Sequence, residues 1–157
     1  MVKLVRIDDR LLHGQVAFAW TNSLGVDAII VANDEVVNDQ IIKMSLKMAV
    51  PPDVKLAIRT IDDAIKLIHN PKTENISIFV VVKNTKDALR LAEGSELIRK
   101  INVGGMRKSD GKDMLTRAVY VDDSDIENLN KMTEIGCEVE IRQVPTDTKK
   151  YIYELLK

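Results

Sequence analysis

Short apolar runs alternate with segments of helical periodicity along the whole chain. The apolar runs are rich in Val and Ile and predict strands, and apolar positions spaced three and four residues apart predict helices between them. The predicted strands cover residues 2–8, 27–32, 54–58, 76–82, 100–103, 118–121 and 137–144. The predicted helices cover residues 15–24, 34–49, 61–68, 85–94, 122–135 and 146–156. This alternation predicts a doubly wound α/β fold, with a mostly parallel, open sheet of about seven strands and helices on both faces.

The last predicted strand differs from the others, because its apolar positions alternate with Glu138, Glu140 and Arg142. A half-polar strand is typical of a position where one face of the sheet meets water. Residues 137–144 are therefore expected to form an edge strand.

The longest predicted helix, over residues 34–49, is expected to bury its apolar positions against the sheet. These positions are Val36, Val37, Ile41, Met44, Leu46 and Met48. No linker or repeat interrupts the pattern of strands and helices in the sequence. Residues 1–157 are therefore expected to form a single domain.

The composition is that of an ordinary globular protein, with 45% apolar residues, 30% charged residues and a formal net charge of −1. A chain without a basic excess is not expected to bind nucleic acid. The single cysteine, Cys137, excludes an internal disulfide. Because the apolar runs are too short to cross a bilayer, we expect a cytoplasmic protein that is associated with a membrane only peripherally, through a partner.

The loop after the first predicted strand, residues 9–14, is the position where a ligand site is most expected. In open α/β sheets, ligands bind beyond the carboxyl ends of the strands, where the strand order reverses, and the first strand commonly flanks that point. Other residues that follow strands are expected at the same edge of the sheet. They are Asn33, Asp34, Arg59, Lys83, Asn84, Gly104 and Gly105. The glycine pair either forms a tight turn or lets backbone N–H groups approach an anion.

His13 stands at the end of this loop, at the predicted start of a helix and close to Arg10. A neutral imidazole is a nucleophile, and nearby cations and a helix N-terminus disfavour its protonation near neutral pH. The same groups stabilise an anion once the ring has been phosphorylated. Arg10 is the candidate clamp for the phosphoryl group, because a guanidinium binds phosphate oxygens in a bidentate manner. These features favour a protein that carries a phosphoryl group on His13.

Further residues near this loop are candidates for supporting roles. Asp9 is expected to orient an arginine or to hold one imidazole nitrogen as N–H. Arg6 lies within the strand before the loop, and Gly14 and Gln15 follow the histidine. The second histidine, His69, ends a predicted helix and is interpreted as structural. The sequence contains no metal-ligand spacing and no nucleotide-binding motif, so no metal or cofactor is expected.

The segment Arg6-Ile-Asp-Asp-Arg-Leu-Leu-His13-Gly-Gln-Val resembles the active-site signature of a known family. That family is the IIB component of the bacterial phosphoenolpyruvate-dependent sugar phosphotransferase system, in its mannose/fructose/sorbose branch. The resemblance extends through residues 31–35, 47–51, 102–106 and 118–121 and covers essentially the whole chain. It implies a mostly parallel sheet with helices on both faces, in agreement with the fold predicted from the apolar pattern.

The resemblance also implies a phosphotransferase function. In the family, the IIB protein accepts a phosphoryl group from a phosphohistidine of the IIA component and holds it on the histidine that matches His13. It then passes the group to a sugar that enters through the membrane components IIC and IID. Arg10 matches the motif arginine that is expected to help hold the phosphoryl group. The resemblance leaves open the identity of the sugar, the oligomeric state and the imidazole nitrogen that is phosphorylated.

Two alternative functions compete with this interpretation. A receiver-like signalling domain also has an acidic pair after its first strand, but it needs an acceptor aspartate after its third strand, where this chain has Arg59. It also needs Mg²⁺, which a site rich in arginine repels. A non-catalytic α/β domain would bind a small anion near Arg10 without being phosphorylated.

Cys137 is the alternative nucleophile, and residues 107–115 are a candidate partner surface. Other branches of the phosphotransferase system phosphorylate a cysteine after the first strand, whereas Cys137 precedes a late strand. His13 is therefore preferred as the nucleophile. The polar segment over residues 107–115 either contributes to partner contact or has no such role.

Overall fold

The computed structural model describes residues 1–156, which form a seven-stranded sheet, a two-stranded hairpin and six α-helices. The strands are β1 (Val2–Asp8), β2 (Ala28–Ala32), β3 (Lys55–Arg59), β4 (Ile78–Val82), β5 (Lys100–Gly105), β6 (Asp113–Thr116), β7 (Val119–Val121), β8 (Glu138–Ile141) and β9 (Lys150–Tyr151). The helices are α1 (Gly14–Leu24), α2 (Gln40–Ala49), α3 (Ile61–Ile68), α4 (Thr85–Gly94), α5 (Asp123–Glu134) and α6 (Ile152–Leu155).

The main sheet has the strand order β3-β2-β4-β1-β5-β8-β9. Neighbouring strands are parallel throughout, except that β9 runs antiparallel to β8. This arrangement confirms the predicted α/β fold with a mostly parallel sheet. Within residues 1–156, each helix is too short or too polar to cross a bilayer.

Two hydrophobic clusters lie on the two faces of the sheet. Because successive side chains of a strand point to opposite faces, β1 contributes Val5 and Ile7 to the larger cluster and Leu4 to the smaller one. The larger cluster also contains residues of α3, α4, α5 and α6, and the smaller one contains residues of α1 and α2. The division explains why helices are needed on both faces.

Polar side chains interrupt the smaller cluster's face of the sheet where β1, β5 and β8 lie side by side. Arg6, Asp8, Asn102 and Glu140 alternate along these strands with residues of the larger cluster, and each is at most 2% exposed. We refer to these four residues as the buried polar row. Such groups are costly to bury unless they are paired, so the row must supply its own hydrogen bonds.

The helix predicted over residues 34–49 is interrupted in the structure. The side chain of Asn33 accepts hydrogen bonds from two backbone N–H groups and starts a short 3-10 turn over Val36–Asn38. Asp39 is extended and caps α2 with its side chain. Side-chain hydrogen bonds of this kind compete with helical backbone bonds, which explains the break.

The predicted burial of this helix is wrong at Ile41, Met44 and Met48, which are 78%, 63% and 86% exposed. Leu46 and Val36 are buried as predicted. The break at Asp39 changes the direction of the chain, so the apolar positions before and after it no longer share one helical face. In α2 the side turned to the sheet is the one that carries Leu46.

The prediction of an edge strand over residues 137–144 is wrong in its position. The strand is β8, the last parallel strand of the sheet, and the short β9 lies outside it. The expectation rested on solvated polar residues, whereas Glu140 is 0% exposed. Its charge is compensated by protein groups and not by water.

The final helix is also shorter than the predicted span of residues 146–156. The carboxylate of Asp147 accepts hydrogen bonds from the backbone N–H groups of Gln143 and Val144 and forms a turn after β8. The chain then returns as β9, and α6 begins only at Ile152. A local turn built on an aspartate thus replaces the first part of the helix.

The strand predicted over residues 118–121 exists as β7 but lies outside the main sheet. It pairs with β6 in an antiparallel hairpin, and a single parallel bridge between Met106 and Val119 connects it to the end of β5. The loop predicted after Gly105 therefore contains an additional strand. The hairpin stands beside the carboxyl end of β5, where the predicted site lies.

The contrast between Leu46 and Met48 can be tested by two alanine substitutions in the same helix. Leu46→Ala should lower the free energy of unfolding by about 2–5 kcal/mol, because it leaves a cavity in the smaller cluster. Met48→Ala should change it by less than about 0.5 kcal/mol, because the side chain is exposed. Urea unfolding of both variants measures the two values. Equal losses would contradict the described orientation of α2.

Candidate active site

β1 ends at the point where the order of the sheet reverses. Its neighbours are β4 on one side and β5 on the other, and the chain leaves β1 towards β2 but later leaves β5 towards β8. The two directions of winding open a crevice at the carboxyl ends of β1 and β5. The loop that follows β1 therefore lies where the sequence predicted a site.

The loop between β1 and α1 has an unusual backbone conformation, which is stabilised by the burial of its apolar side chains. Leu11 has a φ of 58°, which is rare for a bulky residue. A conformation of this kind costs about 1–3 kcal/mol. Leu11 and Leu12 are both 7% exposed and belong to the smaller cluster, so apolar burial offsets the strain. Gly14 has a φ of 47° and allows α1 to start directly after the loop.

His13 is the N-cap residue of α1, and its Nε2 atom lies 2.9 Å from Oδ2 of Asp8. Because an ionised carboxylate only accepts hydrogen bonds, Nε2 carries the proton and donates a hydrogen bond to Asp8. The Nδ1 atom then keeps its lone pair. The His13 side chain is 19% exposed, whereas that of Asp8 is 3% exposed. The imidazole ring is thus hydrogen-bonded to a buried residue at Nε2 and remains partly accessible to solvent.

Asp8 is itself fixed by two further hydrogen bonds. Its Oδ2 atom accepts one from Nη2 of Arg6 at 3.0 Å, and its Oδ1 atom accepts one from the backbone N–H of Arg10 at 3.0 Å. Arg6 also donates from Nη1 to Oδ1 of Asn102 at 2.8 Å. Burial lowers the pKa of the Arg6 guanidinium from its ordinary value, and the neighbouring carboxylates oppose that shift.

Gly104 makes room for the Arg6 guanidinium. A Cβ atom at this position would lie 2.0 Å from Cζ of Arg6, which is far too close for any stable contact. A Cβ atom at Gly105 would lie 3.3 Å from Oδ1 of Asp8. Gly104 is therefore required by the close approach of Arg6 to β5, and at Gly105 a larger residue would need a small shift of Asp8.

Asp9 is hydrogen-bonded to Arg107, and one of its two predicted roles is to orient an arginine. Its Oδ2 atom accepts hydrogen bonds from the backbone N–H and from Nε of Arg107, at 2.9 and 3.1 Å. The imidazole is held by Asp8, so the alternative role predicted for Asp9 falls to its neighbour. The pair of Asp9 and Arg107 ties the segment after β5 to the loop after β1.

An open cavity of about 460 Å³ lies in front of His13. The residues that line it are Arg6, Asp8, Asp9, Arg10, His13, Gly104, Gly105, Arg107, Lys108, Arg117, Ala118, Tyr120 and Gln143. Five of these side chains are basic and two are acidic. Within residues 1–156, the side chains of Arg10, Lys108 and Arg117 have no ion-pair partner. The cavity therefore presents free positive charge beside the accessible imidazole.

Other predicted residues have different places in the structure. Gln15 is exposed on the first turn of α1. The side chain of Asn33 accepts hydrogen bonds at the start of the 3-10 turn after β2 and donates weakly to Asp87. His69 is the C-cap of α3 and lies 2.8 Å from Oγ of Ser95, which agrees with a structural role.

Cys137 is 5% exposed, and burial raises the pKa of its thiol. A buried thiol with a raised pKa is a poor nucleophile. Within the described residues 1–156, no group of three or more His, Cys, Asp or Glu side chains is arranged to hold a metal ion.

Comparison with known proteins assigns the chain to a family. A family model described as "PTS system sorbose subfamily IIB component" matches residues 2–157. The chain belongs to this family of phosphotransferase-system (PTS) IIB components. The assignment confirms the resemblance drawn from the segment that begins at Arg6.

Individual relatives agree with the assignment. The chain is 40% identical over 156 residues to the PTS system mannose-specific EIIAB component of Escherichia coli (strain K12), covering 99% of this chain and 48% of that protein. It is 35% identical over 147 residues to the PTS system sorbose-specific EIIB component of Lacticaseibacillus casei, covering 94% of this chain and 90% of that protein. The chain thus spans about half the length of the mannose-specific relatives that it matches.

A solved structure supports the same fold. The IIBSor domain of the sorbose permease from Klebsiella pneumoniae superposes with a TM-score of 0.95 at 33% sequence identity, covering 99% of this chain and 96% of that one. The PTS system N-acetylgalactosamine-specific IIB component 1 from Escherichia coli superposes with a TM-score of 0.89, also at 33% identity, covering 97% and 99% of the two chains.

Sequence reasoning missed several residues of this IIB site. Asp8 was seen as one of an acidic pair but was not chosen, although its distance of two residues from Arg6 places both on one face of β1. Arg107, Lys108 and Arg117 come from the segments beside β5, and no local pattern links them to His13. Arg107 and Lys108 directly follow the carboxyl end of β5, whereas the hairpin of β6 and β7 brings Arg117 to the cavity.

The requirement for glycine at position 104 gives a direct test of the site's geometry. Gly104→Ala should displace Arg6 from Asp8 and Asn102 and lower the free energy of unfolding by about 1–3 kcal/mol, because buried polar groups lose their partners. Gly105→Ala should cost less, since its Cβ atom would meet Asp8 at 3.3 Å. Chemical unfolding ranks the two variants. A Gly104→Ala protein as stable as the wild type would contradict the described packing.

Proposed function

We propose that this chain is a phosphoryl carrier of a sugar phosphotransferase system, with Nδ1 of His13 as the phosphorylated atom. The donor is a phosphohistidine of a IIA component. The acceptor is a sugar of the mannose/fructose/sorbose class that enters through membrane components IIC and IID. The chain works on the cytoplasmic side of the membrane and is held there by these partners. No metal or cofactor takes part.

The observation that carries this proposal is the hydrogen bond of 2.9 Å between Nε2 of His13 and Asp8. It leaves Nδ1 without a proton and available to an incoming phosphorus atom. The side chain is 19% exposed at an open cavity, so a histidine on the surface of a partner protein can reach it. A solvated loop histidine would have neither the fixed ring nor the basic surroundings.

The first transfer exchanges one N–P bond for another. The Nδ1 lone pair of His13 attacks phosphorus, the N–P bond of the donor breaks, and its electron pair returns to the donor imidazole. The His13 ring then carries both the phosphoryl group on Nδ1 and the proton on Nε2. Its positive charge is stabilised by Asp8, as in other sites where a carboxylate holds an imidazolium.

The second transfer reverses these roles. The oxygen of a sugar hydroxyl attacks phosphorus, the bond to Nδ1 breaks, and its electron pair returns to the ring of His13. The hydroxyl proton is released to solvent as the sugar phosphate forms. His13 is left in its starting tautomer, since the proton on Nε2 has stayed with Asp8 throughout.

The cations of the cavity stabilise the charge that is transferred. Arg10 lines the cavity together with His13, and among residues 1–156 its guanidinium has no ion-pair partner, which suits bidentate contact with phosphoryl oxygens. Lys108 and Arg117 extend the positive surface towards the hairpin. Fixed positive groups aimed at a phosphoryl group lower the barrier to its transfer, because they need no reorganisation during the reaction.

The two alternative functions have weaker support. A receiver-like domain needs an acceptor aspartate at the end of its third strand, and β3 ends in Arg59. A purely anion-binding domain does not require an accessible imidazole with a fixed tautomer. Both alternatives predict a protein that is never phosphorylated on histidine.

The acceptor can be tested by substitution of the candidate nucleophiles. The protein should form an acid-labile, alkali-stable phosphoprotein when the upstream phosphotransferase proteins and phosphoenolpyruvate are supplied, and His13→Ala should abolish it. His69→Ala and Cys137→Ser serve as matched controls and should be phosphorylated normally. Radiolabel retained by the His13→Ala protein would show that the acceptor is another residue. Magnesium-dependent labelling of a carboxylate by acetyl phosphate would favour the receiver-like function.

The role of Arg10 can be tested by comparison with another exposed arginine at the same edge of the sheet. Arg10→Ala should slow phosphoryl transfer about a hundredfold, because a fixed positive group is lost. Its free energy of unfolding should change by less than about 0.5 kcal/mol, since the backbone N–H that binds Asp8 remains. Arg59→Ala should leave both quantities unchanged. Rapid-quench kinetics that show equal rates for all three proteins would remove Arg10 from the mechanism.

A further inference from the structure

Two members of the buried polar row lie behind the active site and cannot touch a ligand. Asn102 and Glu140 are both 0% exposed. They stand on β5 and β8, next to β1 in the sheet. A buried ion or ion pair is often replaceable by apolar residues without loss of stability. A purely stabilising role therefore gives little reason to place a carboxylate here.

Glu140 fixes the orientation of the Asn102 side chain. Its Oε1 atom accepts a hydrogen bond from Nδ2 of Asn102 at 3.1 Å. The backbone carbonyl of Arg142 accepts a second hydrogen bond from the same Nδ2 atom, also at 3.1 Å. Since a carboxylate and a carbonyl can only accept, they require the amide nitrogen on their side. The Oδ1 atom of Asn102 is thereby directed towards β1.

The directed Oδ1 atom meets the Arg6 guanidinium. Arg6 donates to it from Nη1 at 2.8 Å and to Asp8 from Nη2 at 3.0 Å. The two nitrogens of one planar group thus connect the Asn102 amide to the carboxylate that holds His13. Because the guanidinium is rigid and planar, its orientation on one side determines its orientation on the other.

Trp20 supports the same arrangement from α1. The Cζ atoms of Arg6 and Arg142 lie 5.3 and 5.1 Å from the centre of its ring, within the range of a cation–π contact. Its Nε1 atom donates to the backbone carbonyl of Gln143 at 3.0 Å. Arg142 in turn pairs with Glu140 through Nε and Nη2, at 3.1 and 3.0 Å. Every charge in this region therefore has an opposite partner.

We propose that Glu140 and Asn102 are positioning residues for phosphoryl transfer, which hold Arg6 against Asp8 and so keep the proton of His13 on Nε2. The hydrogen bonds form a chain, called the relay here, that runs from Glu140 through Asn102, Arg6 and Asp8 to His13. Neither positioning residue touches the phosphoryl group. The catalytic consequence rests on the function proposed above, whereas the effect on the imidazole tautomer does not.

The proposal is tested by Glu140→Gln, with Glu138→Gln as the matched control. Both glutamates lie on β8 and on the same face, but among residues 1–156 the carboxylate of Glu138 forms an ion pair only with Lys149, at 3.6 Å. Glutamine puts an NH2 donor in place of one of the two carboxylate oxygens that accept from Asn102 and Arg142, so the acceptor that orients Asn102 is no longer fixed. The protonated nitrogen of His13 is read from two-bond ¹H–¹⁵N correlation spectra of the unphosphorylated proteins, and transfer is measured against donor concentration.

In the Glu140→Gln protein, the tautomer of His13 should change to a mixture of Nδ1–H and Nε2–H forms. The kcat for phosphoryl transfer should fall about tenfold, because a misplaced ring lowers the fraction of reactive geometry. The KM for the phosphorylated donor should stay within about twofold, since no residue at the surface has changed. Glu138→Gln should behave as wild type in all three measurements.

A folded Glu140→Gln protein with an unchanged tautomer and kcat would overturn the proposal, as would equal effects in the control. If Glu140→Gln does not fold, Asn102→Ser removes the amide and leaves the pair of Glu140 and Arg142 in place, and the same results are expected. Failure of the wild type to be phosphorylated would overturn the proposed function instead. The tautomer is measured on the unphosphorylated protein and needs no phosphoryl donor. It therefore tests the effect of Glu140 on His13 in either case.

Discussion

A hydrogen bond between Asp8 and Nε2 of His13 determines which side of the imidazole meets an incoming phosphoryl group. Its length of 2.9 Å and the low exposure of Asp8 make it a fixed contact inside the protein. Since the carboxylate can only accept, it decides the tautomer of a ring that would otherwise be free to exchange its proton. The open cavity and its cations can serve phosphoryl transfer to Nδ1 only when the ring is oriented in this way.

The fold supplies this contact by dividing one face of the sheet between two kinds of packing. Towards β2 and β4 that face is apolar and is covered by α1 and α2. Where β1, β5 and β8 meet, the same face carries the buried polar row. Apolar burial of Leu11 and Leu12 holds the loop, and hydrogen bonds of the row hold the ring. Stability and orientation thus come from adjacent parts of one surface.

Much of this could be predicted from the sequence because it is encoded locally. The strands of the parallel core are continuous apolar runs, and His13 and Arg10 stand in a single loop after the first of them. Asp9 was expected to orient an arginine, and it accepts a hydrogen bond from Nε of Arg107, which is distant in sequence. The family resemblance rested on the same short segment and is confirmed across the chain.

What escaped prediction depends on tertiary pairing. A polar residue in a strand normally indicates exposure, yet Glu140 is buried because its partners come from β5 and from the residues after β8. The apolar side of α2 was misplaced because a side-chain cap at Asp39 restarts the helix. Arg117 reaches the cavity through the hairpin, whose short strands have no regular apolar pattern in the sequence. Lys108 directly follows the end of β5, in a segment that the sequence predicted only as a polar loop.

The central claim is that the hydrogen bond to Asp8 keeps the proton on Nε2 and thereby leaves Nδ1 available for phosphorylation. The most direct measurement is the position of the N–P bond in the phosphorylated wild-type protein, determined by ¹⁵N and ³¹P NMR of His13. The account predicts phosphorus on Nδ1 and a proton on Nε2. Phosphorus on Nε2 would contradict it, because that atom would have to leave Asp8 before every transfer.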